Sequence, residues 1–365
     1  MIAPALETSQ ITAEWLNSVL SDDVRGGATV TGVKAEVIGE GVGFLGEVAR
    51  LTLTYDSPSA SSTTTMIAKS PTTNEGFKSM GLMLGLYEKE SGFFRDVAPE
   101  MRIRIPDCFH NYAANGTDFM LLLEDLAPMR PGDQLASCSL AEAENALSTV
   151  ARLHARWWSH PRLDEMSSWL PATDGAYFDI LKGAYLGSLE KFHEEFAYLV
   201  TPEIEALADR GGENYEAMIA AGVGRLPHTF IHGDYRLDNM MFGDDPGIDA
   251  LAVLDWQLPF KANPMWDVVY FLGGNLSPES RREHQDALIE GYHTVLLTNG
   301  VTDYSLAQCR EDYRACGLVL LGYLVTGALE TDLETLNERG RELIETIFSR
   351  YATTISDLGS GEFLG

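Results

Sequence analysis

The chain has 365 residues, enough for about two domains, and its apolar and charged fractions are those of an ordinary globular protein. It carries 26 Lys and Arg against 54 Asp and Glu, which gives a formal net charge of −28. Because nucleic acids and anionic membrane surfaces bind basic patches, we expect neither as a partner. An acidic proteome or a salty habitat explains this charge as well as a cationic ligand does.

The composition also bears on the compartment. No cysteine belongs to a CxxC pair or has a histidine at zinc-finger spacing, so we interpret the four as buried thiols of a reducing, cytoplasmic protein. Residues 1–7 lack a basic segment and an apolar core, and we expect no signal peptide. No apolar run is long enough to span a bilayer. The cysteines are Cys108, Cys138, Cys309 and Cys316.

The first part of the chain predicts a sheet. Apolar residues at helical spacing over residues 11–20 precede alternating patterns over residues 29–38, 47–55 and 65–69, which predict three strands. Residues 105–110 and 119–123 predict two more. Between the third and fourth of these predicted strands, residues 82–97 have the periodicity of a helix.

A glycine-rich segment lies between the first two predicted strands. Gly41, Gly43 and Gly46 match the pattern GxGxxG, in which glycines let backbone N–H groups approach a phosphate. Because a strand and not a helix follows, a kinase-type phosphate lid fits better than a dinucleotide site. A flexible hairpin remains the alternative.

Lys69 ends the third predicted strand, where a kinase-type sheet presents the lysine that pairs the α- and β-phosphates. A strand lysine beside an apolar run can also merely extend its amine to solvent. Both Glu88 and Glu90, in the predicted helix, are candidates to pair with Lys69, and a solvated charge run is the alternative.

The central loop is the strongest signal in the chain. An apolar run, residues 229–231, leads into His232-Gly-Asp234, and Asn239 follows five residues after Asp234. A second short strand then ends at Asp255. Phosphoryl transfer from ATP needs a carboxylate that accepts the hydroxyl proton, with an Asn and a second Asp on the metal. Asp234, Asn239 and Asp255 fit these roles in that order, although Asp234 and Asn239 could separately be turn formers.

The motif His232-Gly-Asp234 with Asn239, followed by Asp255-Trp-Gln257, resembles that of the aminoglycoside phosphotransferase/choline kinase superfamily. It is most similar to the ecdysteroid-kinase-like and bacterial phosphotransferase branches, over roughly residues 37–269. Family loops more often carry Leu-His-Pro-Gly where this chain has Tyr235-Arg-Leu-Asp238. The acceptor preference of the antibiotic kinases therefore cannot be transferred to this chain.

The resemblance adds further roles. It implies that Glu90, rather than Glu88, pairs with Lys69, and that the backbone from Glu124 to Leu126 hydrogen-bonds the adenine ring. It also implies that Asp267 braces the catalytic loop. We interpret His154 as a packed core histidine, Asp238 as a helper or stabiliser of the loop, and Arg236 as a support of either the phosphate or the loop.

The rest of the chain predicts helices from residue 140 onward, among them residues 177–199, 203–221, 278–297, 306–329 and 336–355. We expect residues 359–365 to be a frayed tail. Residues 177–221 hold nine acidic and three basic side chains. This excess is either a solvated face or, with the acidic residues 330–334, part of a cleft that favours a neutral or cationic acceptor.

The prediction for the fold is a bilobal, protein-kinase-like α+β structure. Residues 1–125 are expected to form a small antiparallel-sheet lobe that binds nucleotide, and residues 126–365 a helical lobe with the catalytic loop and acceptor site. The predicted function is phosphorylation of a small-molecule hydroxyl, with ATP and Mg²⁺.

Three alternatives remain. A nucleotide-binding module without turnover would share the fold. A hydrolase using His232 and Asp234 would need a nucleophile that no Gly-x-Ser-x-Gly or Cys–His pattern supplies. A protein kinase would need an Ala-Pro-Glu segment after Asp255, which the sequence lacks.

Overall fold

A computed structural model describes residues 4–38, 46–244, 250–331, 333 and 336–364. The chain divides into two compact units. The N-terminal unit comprises Met1–Met129 and Ala252–Leu258, and the C-terminal unit comprises Arg130–Leu251 and Pro259–Gly365. The predicted α+β class is confirmed, because the first unit is built on an antiparallel sheet and the second is mainly helical.

The sheet of the N-terminal unit has five antiparallel strands in the order β1-β2-β3-β5-β4. All five strands that the sequence predicts there are present. They are β1 (Val30–Val37), β2 (Gly46–Tyr55), β3 (Thr65–Pro71), β4 (Cys108–Ala114) and β5 (Asp118–Glu124).

One face of this sheet packs against the first helix, α1 (Ala13–Val19). Trp15 and Leu16 of α1 share a buried core with Leu51 of β2 and Ala68 of β3. Successive side chains of a strand point to opposite faces. Lys69, next to Ala68, therefore points to the other face, away from α1.

The N-terminal unit also has α2 (Asp22–Arg25), α3 (Glu75–Met83) and α4 (Leu86–Gly92), and α4 continues as a π-helical turn, Phe93–Val97. Helix α4 lies on the Lys69 face of the sheet, because its Glu90 contacts Lys69. The prediction of one helix over residues 82–97 is wrong at its start. Gly85 adopts a left-handed conformation, with φ of 62°, which ends the regular backbone of α3 and begins α4 at Leu86.

The C-terminal unit consists of ten helices and short strands among its described residues. Strand β6 pairs with β8, and β7 with β10, both antiparallel. The strands are β6 (Arg130–Pro131), β7 (Thr229–Ile231), β8 (Met240–Phe242) and β10 (Phe260–Ala262), and β9 (Leu251–Val253) begins at Leu251, after which the chain continues in the N-terminal unit. The helices are α5 (Leu140–Arg156), α6 (Arg162–Glu165), α7 (Ala176–Lys191), α8 (Pro202–Glu213), α9 (Tyr215–Ala221), α10 (Met265–Asn275), α11 (Pro278–Thr298), α12 (Leu306–Cys316), α13 (Leu318–Glu330) and α14 (Glu338–Leu358).

Helix α10 is the centre of this unit, because every one of its residues is buried. Its sequence is apolar on all sides, as expected for a helix surrounded by others. α5, α11, α12, α13 and α14 all contact it. The few polar side chains of α10 must therefore find partners inside the protein.

Two predictions near the C-terminus are wrong. The helix expected over residues 306–329 is interrupted at Gly317, where a side chain would collide with the hydroxyl of Ser360. The expected frayed tail is instead a 3-10 helix, Ser360–Leu364. Ser360 is fully buried and donates a hydrogen bond of 2.7 Å to the carbonyl oxygen of Arg314.

The acidic excess between residues 177 and 221 lies on the surface. All nine acidic residues are exposed except Glu205, which is half-buried. This exposure favours a solvated face over a charged cleft. Within the described ranges, no helix combines the length and apolar character needed to cross a membrane.

His193, in the π-helical turn Phe192–Phe196 that follows α7, joins this turn to α8 through two carboxylates. Its Nδ1 lies 2.8 Å from Oε1 of Glu205, and its Nε2 lies 2.8 Å from Oδ1 of Asp209. Burial lowers the pKa of His193, but these two hydrogen bonds outweigh burial and raise it above its ordinary value. The doubly protonated ring is therefore the form that bridges the helices.

We predict that this bridge makes the stability depend on pH in a defined direction. The contribution is fully present below the ordinary histidine pKa, about 6.5, and is lost as pH rises through the raised pKa of the folded state. Since the ring is partly exposed, its size should stay below about 1 kcal/mol. Unfolding midpoints of wild type and His193→Gln should differ more at about pH 5.5 than at about pH 8.5. An equal difference at both pH values would contradict this account.

Candidate active site

The central loop begins where β7 ends and is shaped by Gly233. β7 is entirely buried, and Gly233 has φ of 81°, a left-handed conformation that glycine adopts without strain. The loop closes with a 3-10 turn, Leu237–Asn239, directly before β8. This turn brings Asn239 back to Asp234: its amide Nδ2 donates to the backbone oxygen and to Oδ2 of Asp234, at 2.9 and 2.8 Å.

Asp267 of α10 holds the start of the loop. Its carboxylate accepts hydrogen bonds from the backbone N–H groups of His232 and Gly233, at 2.7 and 2.9 Å. It also lies 3.1 Å from Nε2 of His154, on α5. Because an ionised carboxylate only accepts, Nε2 of His154 is the donor. Nδ1 of His154 lies 2.8 Å from the hydroxyl of Tyr292, so both ring nitrogens are bonded.

The carboxylate of Asp234 is surrounded by donors. The hydroxyl of Tyr270 donates to Oδ1 at 2.8 Å, Asn239 donates to Oδ2, and Nε of Arg236 lies 3.1 Å from Oδ1. Burial raises the pKa of Asp234, but the charge of Arg236 and the hydrogen bonds from Tyr270 and Asn239 hold it below its ordinary value. Asp234 is therefore ionised at neutral pH.

Arg236 and Asp238 support the loop from within the same unit. Nη1 of Arg236 lies 3.0 Å from Oδ2 of Asp238, whose Oδ1 accepts from the backbone N–H of Gln134 at 2.9 Å. The segment before Gln134 approaches the loop so closely that a side chain on Gly132 would collide with the carbonyl oxygen of Leu237. The negative charge of Asp234 raises the pKa of Arg236, so the guanidinium stays charged.

A second group of polar residues lies in the N-terminal unit. Nζ of Lys69 is 2.6 Å from Oε1 of Glu90 and 3.5 Å from Oδ1 of Asp255. Glu90 is buried, whereas Glu88 is exposed. The structure therefore brings Lys69 together with Glu90. Burial alone would lower the pKa of Lys69, but the charges of Asp255 and Glu90 raise it, so the ammonium remains protonated.

The two residues after Asp255 contact the helix that carries Glu90. Nε2 of Gln257 donates to Oε2 of Glu90 at 3.1 Å, so the two carboxylate oxygens of Glu90 bond Gln257 and Lys69 separately. The Trp256 ring stacks on Phe93 with a centroid distance of 4.0 Å. Asp255 itself has φ of 61°, an unusual left-handed conformation for a residue with a side chain. Its side chain is 41% exposed and thus accessible to a ligand.

The remaining predicted site residues belong to the N-terminal unit. Gly41 and Gly43 lie outside the described residues, and Gly46 begins β2. The side chain of Glu124, at the end of β5, bonds Arg104 at 2.5 Å and the backbone N–H of Asp107 at 3.1 Å. Leu126 is buried.

For three residues of these two groups, the sequence did not predict a hydrogen bond to a site residue. His154 is buried as predicted, yet it also bonds the brace Asp267. Tyr270 donates a hydrogen bond to Asp234, and Gln257 donates one to Glu90. The available signal was position: Tyr270 lies one helical turn after Asp267, and Gln257 lies two residues after Asp255.

The comparisons with known structures define the class of fold. The GDP complex of aminoglycoside 2'-phosphotransferase-IIIa superposes with a TM-score of 0.52 and 16% identity, covering 88% of this chain and 93% of that one. The gentamicin complex of APH(2″)-IIa gives 0.51 and 15%, covering 96% and 99%. An ethanolamine kinase from Plasmodium vivax gives 0.50 and 10%, covering 90% and 81%. The predicted kinase-like fold is thereby confirmed.

The family follows from the sequence match. A model of the Ecdysteroid kinase-like family matches residues 40–301, which is most of the chain. The chain belongs to the Ecdysteroid kinase-like family, as the sequence motif of the central loop indicates. The predicted resemblance to this branch of the superfamily is thereby confirmed.

One curated relative also matches, over a short segment. Acyl-CoA dehydrogenase family member 10 of Mus musculus is 48% identical over 42 residues, which are 12% of this chain and 4% of that protein. The match thus spans a small fraction of that relative's length.

The buried Lys69–Glu90 pair predicts a non-additive double-mutant cycle. Lys69→Met leaves the Glu90 carboxylate without its ammonium partner, and Glu90→Gln removes the nearest carboxylate of a buried ammonium; each should destabilise the protein. The double variant should lose less than the sum of the singles, with a coupling of about 0.5–3 kcal/mol. Urea unfolding measures this coupling, and ADP affinity gives a second readout.

Glu88→Gln is the matched control, because Glu88 is an exposed carboxylate two residues away on the same helix. Its effect should be small and should add to that of Lys69→Met. Strictly additive losses for Lys69→Met and Glu90→Gln would sink the pairing as an energetic unit.

Proposed function

We propose that this protein transfers the γ-phosphoryl group of ATP to a hydroxyl of a small molecule. The observation that carries the proposal is the ionised carboxylate of Asp234, held beside the amide of Asn239 in the loop of a family member. A turn former would not need a carboxylate with three side-chain donors. The same loop in a hydrolase would need a nucleophile beside Asp234.

In the proposed reaction, Asp234 accepts the proton of the acceptor hydroxyl. The hydroxyl oxygen forms a bond to the γ-phosphorus, the bond between this phosphorus and the bridging oxygen breaks, and ADP leaves with that electron pair. Transition states of this kind are loose, so orientation of the hydroxyl contributes more than early removal of its proton. A carboxylate of low pKa suits that orienting role.

Asn239 and Asp255 are the proposed Mg²⁺ ligands, and their donor atoms fit a hard cation. Both side-chain hydrogen bonds of Asn239 use Nδ2, and its Oδ1 accepts none from the described residues. Asp255 offers an accessible carboxylate. The described residues hold no cluster of three or more His, Cys, Asp or Glu suited to a metal, and Mg²⁺ is commonly held by one or two carboxylates together with substrate phosphates. The ion, when bound, neutralises phosphate charge.

Lys69, placed by Glu90, is proposed to pair with the α- and β-phosphates, as a protonated ammonium can. Gly41, Gly43 and Gly46 are proposed as the lid over the phosphates. The backbone from Glu124 to Leu126 is proposed to bond the adenine ring. In this assignment the N-terminal unit binds nucleotide, and the C-terminal unit carries the catalytic loop and the acceptor.

The decisive experiment is an ADP-release screen across hydroxylated metabolites, with Asp234→Asn as the comparison. The amide keeps the size of the carboxylate but cannot accept a proton, so turnover should fall about a hundredfold or more. Affinity for Mg·ATP should change little. A variant with near wild-type turnover would show that Asp234 is neither base nor orienter. A wild type that binds Mg·ATP without phosphorylating any acceptor would point to a nucleotide-binding module.

The metal assignment is tested separately by Asp255→Ala. Loss of the anionic ligand should abolish the Mg²⁺-dependent part of ATP affinity, while the affinity in EDTA should remain. Calorimetry in both buffers gives the two values. Unchanged Mg·ATP affinity would remove Asp255 from the metal site.

A further inference from the structure

Tyr270 contacts the reacting carboxylate but has no part in the proposed chemistry. Its hydroxyl donates to Oδ1 of Asp234 at 2.8 Å, and the residue is 6% exposed. It comes from α10, three residues after Asp267, so one rigid helix holds both the start of the loop and the carboxylate.

The Tyr270 ring is fixed by two other tyrosines. Its centroid lies 4.5 Å from that of Tyr323 and 5.8 Å from that of Tyr351. The hydroxyl of Tyr323 donates to the carbonyl oxygen of Gly233 at 2.6 Å. The phenol of Tyr270 therefore cannot swing away from Asp234 without disturbing this packing.

The donors around Asp234 almost fill its capacity. An ionised carboxylate has about four lone-pair directions on its two oxygens. Tyr270 and Asn239 each occupy one, and Nε of Arg236, at 3.1 and 3.2 Å from the two oxygens, takes up another. About one direction is left to receive a hydroxyl proton.

An acceptor hydroxyl and water compete for that direction. A bound alcohol is placed by the rest of its structure, whereas water can use any accessible lone pair of a carboxylate. A second open lone pair on Asp234 would thus let a water molecule bind beside the γ-phosphoryl group. That water would then hydrolyse ATP. We infer that Tyr270 is a positioning residue that closes this second direction, and so favours transfer to the acceptor over hydrolysis. The inference rests on the proposed function of Asp234.

The test is Tyr270→Phe, which removes the hydroxyl and keeps the ring. Two quantities are measured at saturating Mg·ATP: ADP release with water as the only acceptor, and phosphorylated product with the acceptor that the screen identifies. Hydrolysis should rise about threefold or more, because one carboxylate lone pair becomes open to water. Transfer should fall about tenfold in kcat, since a hydrogen bond to a charged group is lost, with little change in the KM for ATP.

Tyr185→Phe is the control, because Tyr185 is a buried tyrosine of the same unit whose hydroxyl donates to the carbonyl oxygen of Ala208 at 2.9 Å. Its ratio of hydrolysis to transfer should equal that of wild type. A purely structural role for Tyr270 would lower both reactions together and leave their ratio unchanged, and this result would overturn the inference. It would leave the proposed function standing, whereas a wild type without transfer or hydrolysis would overturn both.

Discussion

The conformation of the central loop depends on one buried carboxylate. Asp267 is fully buried on a helix whose residues are all buried, where an ionised group is costly unless it is hydrogen-bonded. Its partners are the backbone N–H groups of His232 and Gly233 and the ring of His154. Because those two N–H groups face Asp267, the peptide at Gly233 has one orientation. This orientation sets the direction in which the side chain of the next residue, Asp234, extends.

The N-terminal unit uses the same physical device. Glu90 is buried and divides its two carboxylate oxygens between Lys69 and Gln257. Lys69 belongs to the sheet, while Gln257 belongs to the segment that carries Asp255. A buried acceptor with donors from two different segments holds those segments together, because either donor alone would leave it poorly satisfied. In each unit, a buried carboxylate thus orders the residues that are proposed to meet a phosphate.

The sequence predicts the parts of this arrangement that have local causes. Strand alternation located all five strands of the sheet, and the spacing from Asp234 to Asn239 located the loop, since both patterns depend on neighbouring residues. The identity of the partner of Lys69 needed the resemblance, because Glu88 and Glu90 look alike in a charged run. The structure separates them by burial, which depends on how α4 rotates against the sheet.

The misses have non-local causes. Gly317 packs closely against Ser360 of the C-terminal segment, and no local pattern encodes this contact or the hydrogen bond from Ser360 to Arg314. Likewise, His154 and Tyr270 look like core residues from periodicity alone, and they are buried. Their hydrogen bonds to Asp267 and Asp234 appear only when α5, α10 and the loop are assembled. Polar groups inside apolar helices are therefore the positions where sequence reasoning should expect a hidden partner.

The charge of the protein illustrates the difference between composition and site. A net charge of −28 suggests attraction of a cationic acceptor, yet the acidic residues between 177 and 221 are nearly all exposed. Exposed charges are screened beyond about 8 Å at physiological salt. The carboxylate that would meet the acceptor is instead Asp234, whose charge is compensated by Arg236 and by two neutral donors. Selection of the acceptor at the reacting atom would therefore depend on the direction that these donors leave open, rather than on the overall charge.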